Sequence, residues 1–332
     1  MRRFAAVVTL LALLAVTASA QNPNLGTSGA QFLKIPAGAR AAAMAGAVVG
    51  SVQDASALFW NPAGIVSVTT GDLHASYTPW WATVRLSHAA LVYTTESSGS
   101  FGVSVAMVGM DEMEMTTELE PEGNGVMFDA ADLMLGLSYA RRLTDQFSVG
   151  VTAKYVNQRI WNETASGIAF DIGTQYRIGF RDLTLAMSMQ NFGPDMRYDG
   201  RDLNVKYDPG SPNPSNRLAP ARLTAEDYPL PLLFQVGLSM TAVTTDEFSL
   251  LAEVDVVHPN DNRERINLGG ELTILKVLAL RGGYRFNYDA ETATFGAGLN
   301  VPLGSSTLRV DYAYALYDLL PDVSRLSVGF SF

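Results

Sequence analysis

The sequence predicts an all-β fold: a transmembrane antiparallel β-barrel of about fourteen strands, with an N-terminal segment folded into its lumen. Three observations carry this. Hydrophobic residues make up 48% and charged residues 17% of the 332-residue chain, yet no long uncharged apolar run follows the first twenty residues, so no transmembrane helix is expected there. From residue 71 onward, apolar and polar residues alternate with period two. The connections between these alternating runs sort by length: short after even-numbered strands, mostly longer after odd-numbered ones.

In chain order, residues 1–20 read as a secretory signal. Arg2 and Arg3 form the charged start, residues 4–16 the apolar stretch, and Ala18-Ser19-Ala20 the small-residue cleavage site. That apolar stretch is too short to span a bilayer. The whole chain carries a formal charge of −10, and removing the signal takes away two arginines, leaving it still more acidic. Such a balance argues against nucleic acid as a partner. There is no cysteine, which excludes a lipid-modified N-terminal cysteine, disulfides, thiol catalysis and cysteine-ligated metal.

Residues 21–70 do not alternate. They are rich in Ala and Gly, poor in charge, and interrupted by Pro36 and Pro62. Gly38, Gly46, Gly50 and the alanines allow close backbone approach in a narrow space, while the prolines stop continuous strand or helix. Residues 39–48 have room for a short helix. This stretch is therefore expected inside the barrel formed by residues 71–332.

The strands follow. In residues 146–155, Phe147, Val149, Val151, Ala153 and Tyr155 share one face, with Ser148, Gly150, Thr152 and Lys154 on the other. The last run sets Leu326, Val328, Phe330 and Phe332 against Arg325, Ser327, Gly329 and Ser331. Period two sustained in this way means strands with one apolar and one polar face. The expected spans are 71–79, 85–95, 100–110, 130–142, 146–158, 165–178, 182–192, 231–243, 247–257, 264–274, 277–288, 292–302, 306–316 and 324–332. Most are near the ~9–11 residues a tilted membrane strand needs. Loop sorting by parity is what outer-membrane barrels show, with short periplasmic turns and longer external loops, here residues 111–129 and 192–230.

A membrane barrel turns its apolar face to lipid and keeps a polar lumen. The inward positions then carry Glu253, Asp255, Arg265, Asn267, Glu271, Arg281, Arg285, Arg309 and Asp311. Opposite charges fall on neighbouring strands, so the expectation is a salt-bridge ladder that holds a plug and not a single-sign conducting ring. Lys34, Arg40 and Asp54 of the plug are its natural partners. Tyr93, Tyr139, Tyr155, Tyr176, Tyr284, Tyr288, Tyr312, Tyr314 and Phe332 are expected in interfacial girdles. Leu-Ser-Val-Gly-Phe-Ser-Phe at 326–332 is similar to the C-terminal signal that outer-membrane barrels present to their assembly machinery.

Sites for chemistry are sparse. His74, His88 and His258 have no partner at metal-binding spacing, and Ser87-His88 lacks a nucleophile elbow. The acidic run from Asp111, Glu112 and Glu114 to Glu122 lacks the spaced oxygen ligands of a calcium loop and reads as a solvated external loop. No catalytic residue, metal or cofactor is expected, and the protein is read as a non-enzyme.

The motif of residues 33–47, Leu-Lys-Ile-Pro-Ala-Gly-Ala-Arg-Ala-Ala-Ala-Met-Ala-Gly-Ala, is followed by Asp-Ala-Ser-Ala-Leu-Phe-Trp-Asn-Pro-Ala-Gly at 54–64. Together they resemble the N-terminus of the PorV/PorQ family, itself similar to FadL-type long-chain fatty-acid transporters. Ala45 departs from the family pattern, where Gly is commoner. The resemblance implies a bacterial outer-membrane barrel with a lumenal hatch, marked by Pro36, Gly38, Arg40, Gly46, Asp54, Asn61, Pro62 and Gly64. It also implies a part in type IX secretion: binding the C-terminal signal domain of secreted cargo proteins and passing them to the surface attachment machinery. The implied partners are outer-membrane lipid, cargo, and secretion or attachment proteins. The FadL likeness implies an alternative, a passive channel for fatty acids or other hydrophobic small molecules. Met107, Met110, Met113 and Met115 near the external loop are a candidate greasy entry for it, although methionines that simply face lipid are the favoured expectation.

Overall fold

The computed structural model describes residues 24–208 and 219–332; the expected signal peptide, residues 1–20, lies outside the described residues. Fourteen antiparallel strands form the wall. They are β1 Gly71–Pro79, β2 Arg85–Thr95, β3 Gly99–Gly109, β4 Ala130–Arg142, β5 Phe147–Ile160, β6 Glu163–Ile178 and β7 Leu183–Phe192 in the first half. The second half comprises β8 Leu233–Thr244, β9 Phe248–Pro259, β10 Arg265–Ile274, β11 Leu278–Phe286, β12 Glu291–Leu303, β13 Ser306–Tyr317 and β14 Val323–Ser331. Each pairs with its sequence neighbours, and β14 pairs with β1 to close the sheet. Leu73 lies opposite Phe330, and Gly71 and Phe332 exchange both backbone hydrogen bonds at 3.0 Å. Closure leaves no strand edge unpaired in the membrane, the condition that lipid imposes.

Every strand end falls within two residues of its expected place, because the alternation that marks a strand stops where the pleat stops. Loop parity holds with one exception. β5 and β6 were expected to end at 158 and resume at 165, but pairing continues to Ile160 opposite Glu163. A two-residue tip, with Trp161 in the left-handed region at φ 52°, replaces the longer connection. β5 and β6 have 14 and 16 residues, more than the ~9–11 that cross a membrane. Their ends therefore rise beyond it as an external flap, against which Asp199–Gly200 pairs. The external loop between β3 and β4 carries its own small hairpin, Met113–Glu114 against Met127–Phe128.

The outward face is apolar and exposed along its length, from Leu73 and Tyr77 on β1 to Leu326 and Val328 on β14. Tyr93, Tyr139, Tyr155, Tyr176, Tyr284, Tyr312, Tyr314 and Phe332 lie on it or at its ends. Tyr288 does not. Asn287 takes φ 63°, breaking the alternation just after β11, and Tyr288 turns inward beneath two guanidinium groups, Arg265 at 4.3 Å and Arg285 at 4.9 Å from its ring. Alternation likewise separates Ser87, which faces outward, from His88, which is buried on the lumen side.

The core is inside the barrel. Residues 30–68 run through the lumen and are almost wholly buried, with Met44, Val48, Val49, Leu58 and Ile65 inaccessible to solvent. Helix α1, Ala39–Ala43, is shorter than the 39–48 expected. It stops because Ala45 and Gly46 take φ 56° and 79°, and the Gly46 N–H returns to the Ala41 carbonyl at 2.8 Å, the six-to-one bond of a helix C-terminus. Ala45 thus occupies a conformation that favours glycine. Two 3₁₀ turns follow, Ala55–Phe59 and Pro62–Ser67, capped by the side chains of Asp54 and Asn61 respectively.

Candidate functional site

The candidate site is the contact between this lumenal segment and the wall. Bare backbone lies on bare backbone at Gly283 of β11, where an added Cβ would come within 2.5 Å of the Ala45 nitrogen. At Gly173 of β6 it would come within 2.8 Å of Pro62 Cδ. Among the residues of the expected hatch motif, Asn61 is the most fully used. Its Oδ1 accepts from Ala63 N at 3.1 Å, while its Nδ2 donates to the Val49 carbonyl at 3.0 Å and to the Thr174 carbonyl of β6 at 3.1 Å. Pro62 starts the turn that Asn61 caps, and Pro36 lies at the edge of the chamber described below. Gly38 caps α1 and faces the His74 ring. Gly64 has no room for a Cβ beside Ala57 and Val52.

The expected charge ladder divides into three parts. In the first, Glu271 receives Arg40 Nε at 2.9 Å and Arg281 Nε at 2.5 Å, and Arg281 continues to Asp311 at 2.6 Å. This run joins the segment to β10, β11 and β13. Arg285 pairs with Glu291 at 2.5 Å and donates from Nε to the Ala45 carbonyl at 3.0 Å. Arg309 holds Asp72 at 2.7 Å and stands 3.8 Å from Asp54. Burial opposes the charge on Asp54, but Arg309, His74 and the Ser56 hydrogen bond keep its carboxyl below the usual range.

The second part is not ionic. Asp255 Oδ2 accepts the Val48 and Val49 amides at 3.0 and 3.2 Å, and Glu253 Oε1 accepts the Gly50 amide at 2.6 Å. Successive backbone N–H groups of the segment thus cradle two wall carboxylates, as in an anion nest. The third part is Arg265, which has no acid partner among the described residues and lies over the Tyr288 ring.

Several fastening residues escaped sequence reading although they lie on the same polar face. Asp72 and Glu291 are two. Lys154 and Asp171 form a buried pair at 2.6 Å, with Lys154 also donating to Asn191. Gln175 points its amide at the Val49, Gly50 and Val52 carbonyls. Glu291 lies on the strand next to Arg285, whereas Lys154, Asp171 and Gln175 lie on β5 and β6, on a side of the wall where no ladder residue was expected.

At the outer end Lys34 pairs with Asp261 at 2.8 Å, and Gln31 donates to the same carboxylate at 2.7 Å. Burial opposes the charge on Asp261, yet these two donors hold its carboxyl below the ordinary range. An unfolded aspartate titrates near about pH 3.9, so this clasp contributes fully above that value and is lost as pH falls through the lower folded one. Protection of residues 24–36 from hydrogen exchange, corrected for intrinsic rates, is therefore expected to stay level from about pH 7 to 5 and fall below about pH 4. A fall centred near neutral pH would show that the clasp does not hold this end.

Beneath the clasp lies a chamber bounded by residues 32–37, Gly46, Phe59 and Trp60 of the lumenal segment and by wall residues of β2–β5 and β7–β11, with Phe32, Ile35, Lys154, Leu233, Gln235 and Arg265 among its lining. About 80 Å³ of it is open to water. Met107, Met110, Met113 and Met115 do not line it; Met107 faces outward from β3 and Met113 lies exposed on the external hairpin.

A closed fourteen-stranded wall with an apolar exterior and a filled polar lumen defines a bacterial outer-membrane β-barrel. The solved structures it resembles agree. The Ralstonia pickettii toluene transporter TbuX has 14% identity and a TM-score of 0.56, covering 89% of this chain and 97% of that one. A Pseudomonas aeruginosa FadL homologue has 14% identity and a TM-score of 0.57, covering 90% and 99%. The Pseudomonas putida toluene transporter TodX has 12% identity and a TM-score of 0.57, covering 89% and 96%. At such identities the likeness establishes the fold alone. A comparison with curated protein sequences finds no match. The family model for the type IX secretion system protein PorV matches residues 18–207, more than half of the chain, and the protein belongs to the PorV family.

Proposed function

We propose that this barrel is a non-enzymatic component of type IX secretion. It binds the C-terminal signal domain of exported cargo at its external loops and passes the cargo to the surface attachment machinery. The observation that carries this reading is the family match, which spans the lumenal segment and seven strands of the wall. The filled lumen supports it too, because the surface left for a partner is external. There the β3–β4 loop offers acidic side chains with apolar ones beside them, Leu119 being 94% exposed. Loops of this irregular kind on a rigid scaffold commonly carry recognition. The segment of residues 21–70 would then serve as a closed hatch that keeps the outer membrane sealed.

Deleting the gene is expected to leave proteins bearing the signal domain in the periplasm, read by fractionation and surface labelling. Complementation with a chain lacking residues 111–129 should restore the barrel but not surface display. Normal display in the deletion strain would sink the reading.

A second reading, a channel for hydrophobic small molecules, draws on the transporters that share the fold and on the apolar Phe32–Ile35 side of the chamber. Size favours the first. A cavity of about 150 Å³ is known to admit benzene, and this chamber opens about 80 Å³ to water.

A further inference from the structure

The wall holds a buried nucleophile on the side away from the charge ladder. Lys154 on β5 is 5% exposed, and its Nζ meets side chains from the next two strands. Asp171 Oδ2 on β6 stands 2.6 Å from it, and Nζ donates to Asn191 Oδ1 on β7 at 2.9 Å. Asp171 and Asn191 are each 1% exposed, so the three groups are almost closed off from water. Asn191 reaches this place through an irregularity in the wall. The pairing of β6 with β7 shifts register between Phe170 and Ile172, and Asn191 takes φ 61°. A bulge of this kind re-aims a side chain, and here Asn191 turns into the lumen beside Gln190. Its position is fixed from two sides. Asn191 Nδ2 donates to the Pro231 carbonyl at 3.1 Å, and its backbone N–H donates to Asp171 Oδ1 at 2.8 Å. Asp171 Oδ2 accepts no hydrogen bond from elsewhere among the described residues.

An amine held against a carboxamide, with a carboxyl group touching both, has the parts that an amide exchange needs: a nucleophile, an acyl group and a proton carrier. Fixing them in contact removes the entropic cost of bringing them together. We infer that Lys154 and Asn191 become joined by an isopeptide bond from Nζ to Cγ, with Asp171 carrying the protons. One Nζ proton crosses to Asp171 Oδ2, leaving a neutral amine whose lone pair attacks Asn191 Cγ. The Asp171 proton passes to Nδ2, the Cγ–Nδ2 bond breaks, and ammonia leaves by the chamber that Lys154 lines. The second Nζ proton then goes to Asp171, and a secondary amide remains. Nothing is oxidised or reduced, and no co-reactant is consumed. The bond ties β5 to β7 across β6, and the loop of chain it closes contains the external flap. This goes beyond the secretion reading and does not depend on it.

Peptide mass spectrometry tests the bond on the full-length protein, purified from outer membranes in detergent and digested after denaturation. The peptides carrying Lys154 and Asn191 are expected as one joined species, lighter by one ammonia than the two together. Asn191→Gly removes the reacting amide but keeps the left-handed backbone and the Lys154–Asp171 pair; Asp171→Asn removes the proton carrier. Each variant should give the two peptides separately and at full mass, with the heat-modifiable band confirming that the barrel has folded. Where a variant does not fold, the digest of the parent protein decides alone. Separate, full-mass peptides from the folded parent would overturn the assignment and leave Lys154 and Asp171 as an ion pair. A joined species persisting in folded Asn191→Gly or Asp171→Asn would overturn it as well.

Discussion

Removing residues 30–68 is expected to turn a silent barrel into an open pore, the largest effect the structure predicts. Those residues occupy the lumen, and their polar contacts run to the wall from the chamber to the periplasmic turns. The wall itself is self-sufficient: each strand is hydrogen-bonded on both sides, and the apolar face that lipid stabilises belongs wholly to β1–β14. Taking the segment away leaves Glu253, Asp255, Glu271 and their neighbours facing water, where their charges are solvated and not stranded. An emptied polar lumen of this strand number is a water-filled channel. Single-channel conductance in planar bilayers should rise about tenfold or more over the intact protein, given a lumen open to water. The heat-modifiable folded band should survive the deletion. An equally silent deletion variant would show that something other than residues 30–68 closes the barrel.

Glu271→Ala is expected to cost about 3–5 kcal/mol, because it strips a buried acid from two arginines at once. Arg40 and Arg281 both bind Glu271, and Arg281 side chain is only 4% exposed. Asp311 can hold one side of Arg281; at Arg40 the Ser51 hydroxyl at 3.3 Å is the other hydrogen-bond partner among the described residues, and Asp54 and Glu253 offer charge only at longer range. Urea unfolding in detergent micelles, followed by tryptophan fluorescence, would measure the loss. The double variant Glu271→Ala with Arg40→Met should recover part of it, since removing both members of a buried pair is far less costly than removing one. A single variant within about 0.5 kcal/mol of the parent would place Glu271 among ordinary surface positions.

The barrel was legible in the sequence because period two is imposed twice over, once by lipid outside and once by polar packing inside. Strand bounds, closure class and the inward charges all follow from that pattern. The exceptions have local causes: a left-handed Asn287 that turns Tyr288 inward, and a left-handed Trp161 that tightens the tip of β5–β6. The site was less legible. Glu253 and Asp255 read as salt-bridge acids, but they bind backbone amides, and side-chain identity says nothing about where a neighbour's main chain will lie. Arg265 read as one more rung, while its lack of an acid depends on how Asp255 and Glu291 are spent elsewhere. Lys34, expected to meet the strand charges, meets Asp261 just beyond the end of β9. Pairing across a lumen joins residues more than two hundred positions apart, and no local pattern encodes it.

The seam between β1 and β14 joins residues 71–77 to residues 326–331, the two ends of the wall. A contact so distant along the chain is among the slowest to form, because the entropy of bringing its ends together grows with the loop between them. The lumenal segment is tethered at Gly71, directly beside that seam. Settling onto the open, curling sheet lets Arg40 and the 48–50 amides meet strands β9–β11 before the last pair zips, so that the close glycine contacts form as the wall curls around the segment.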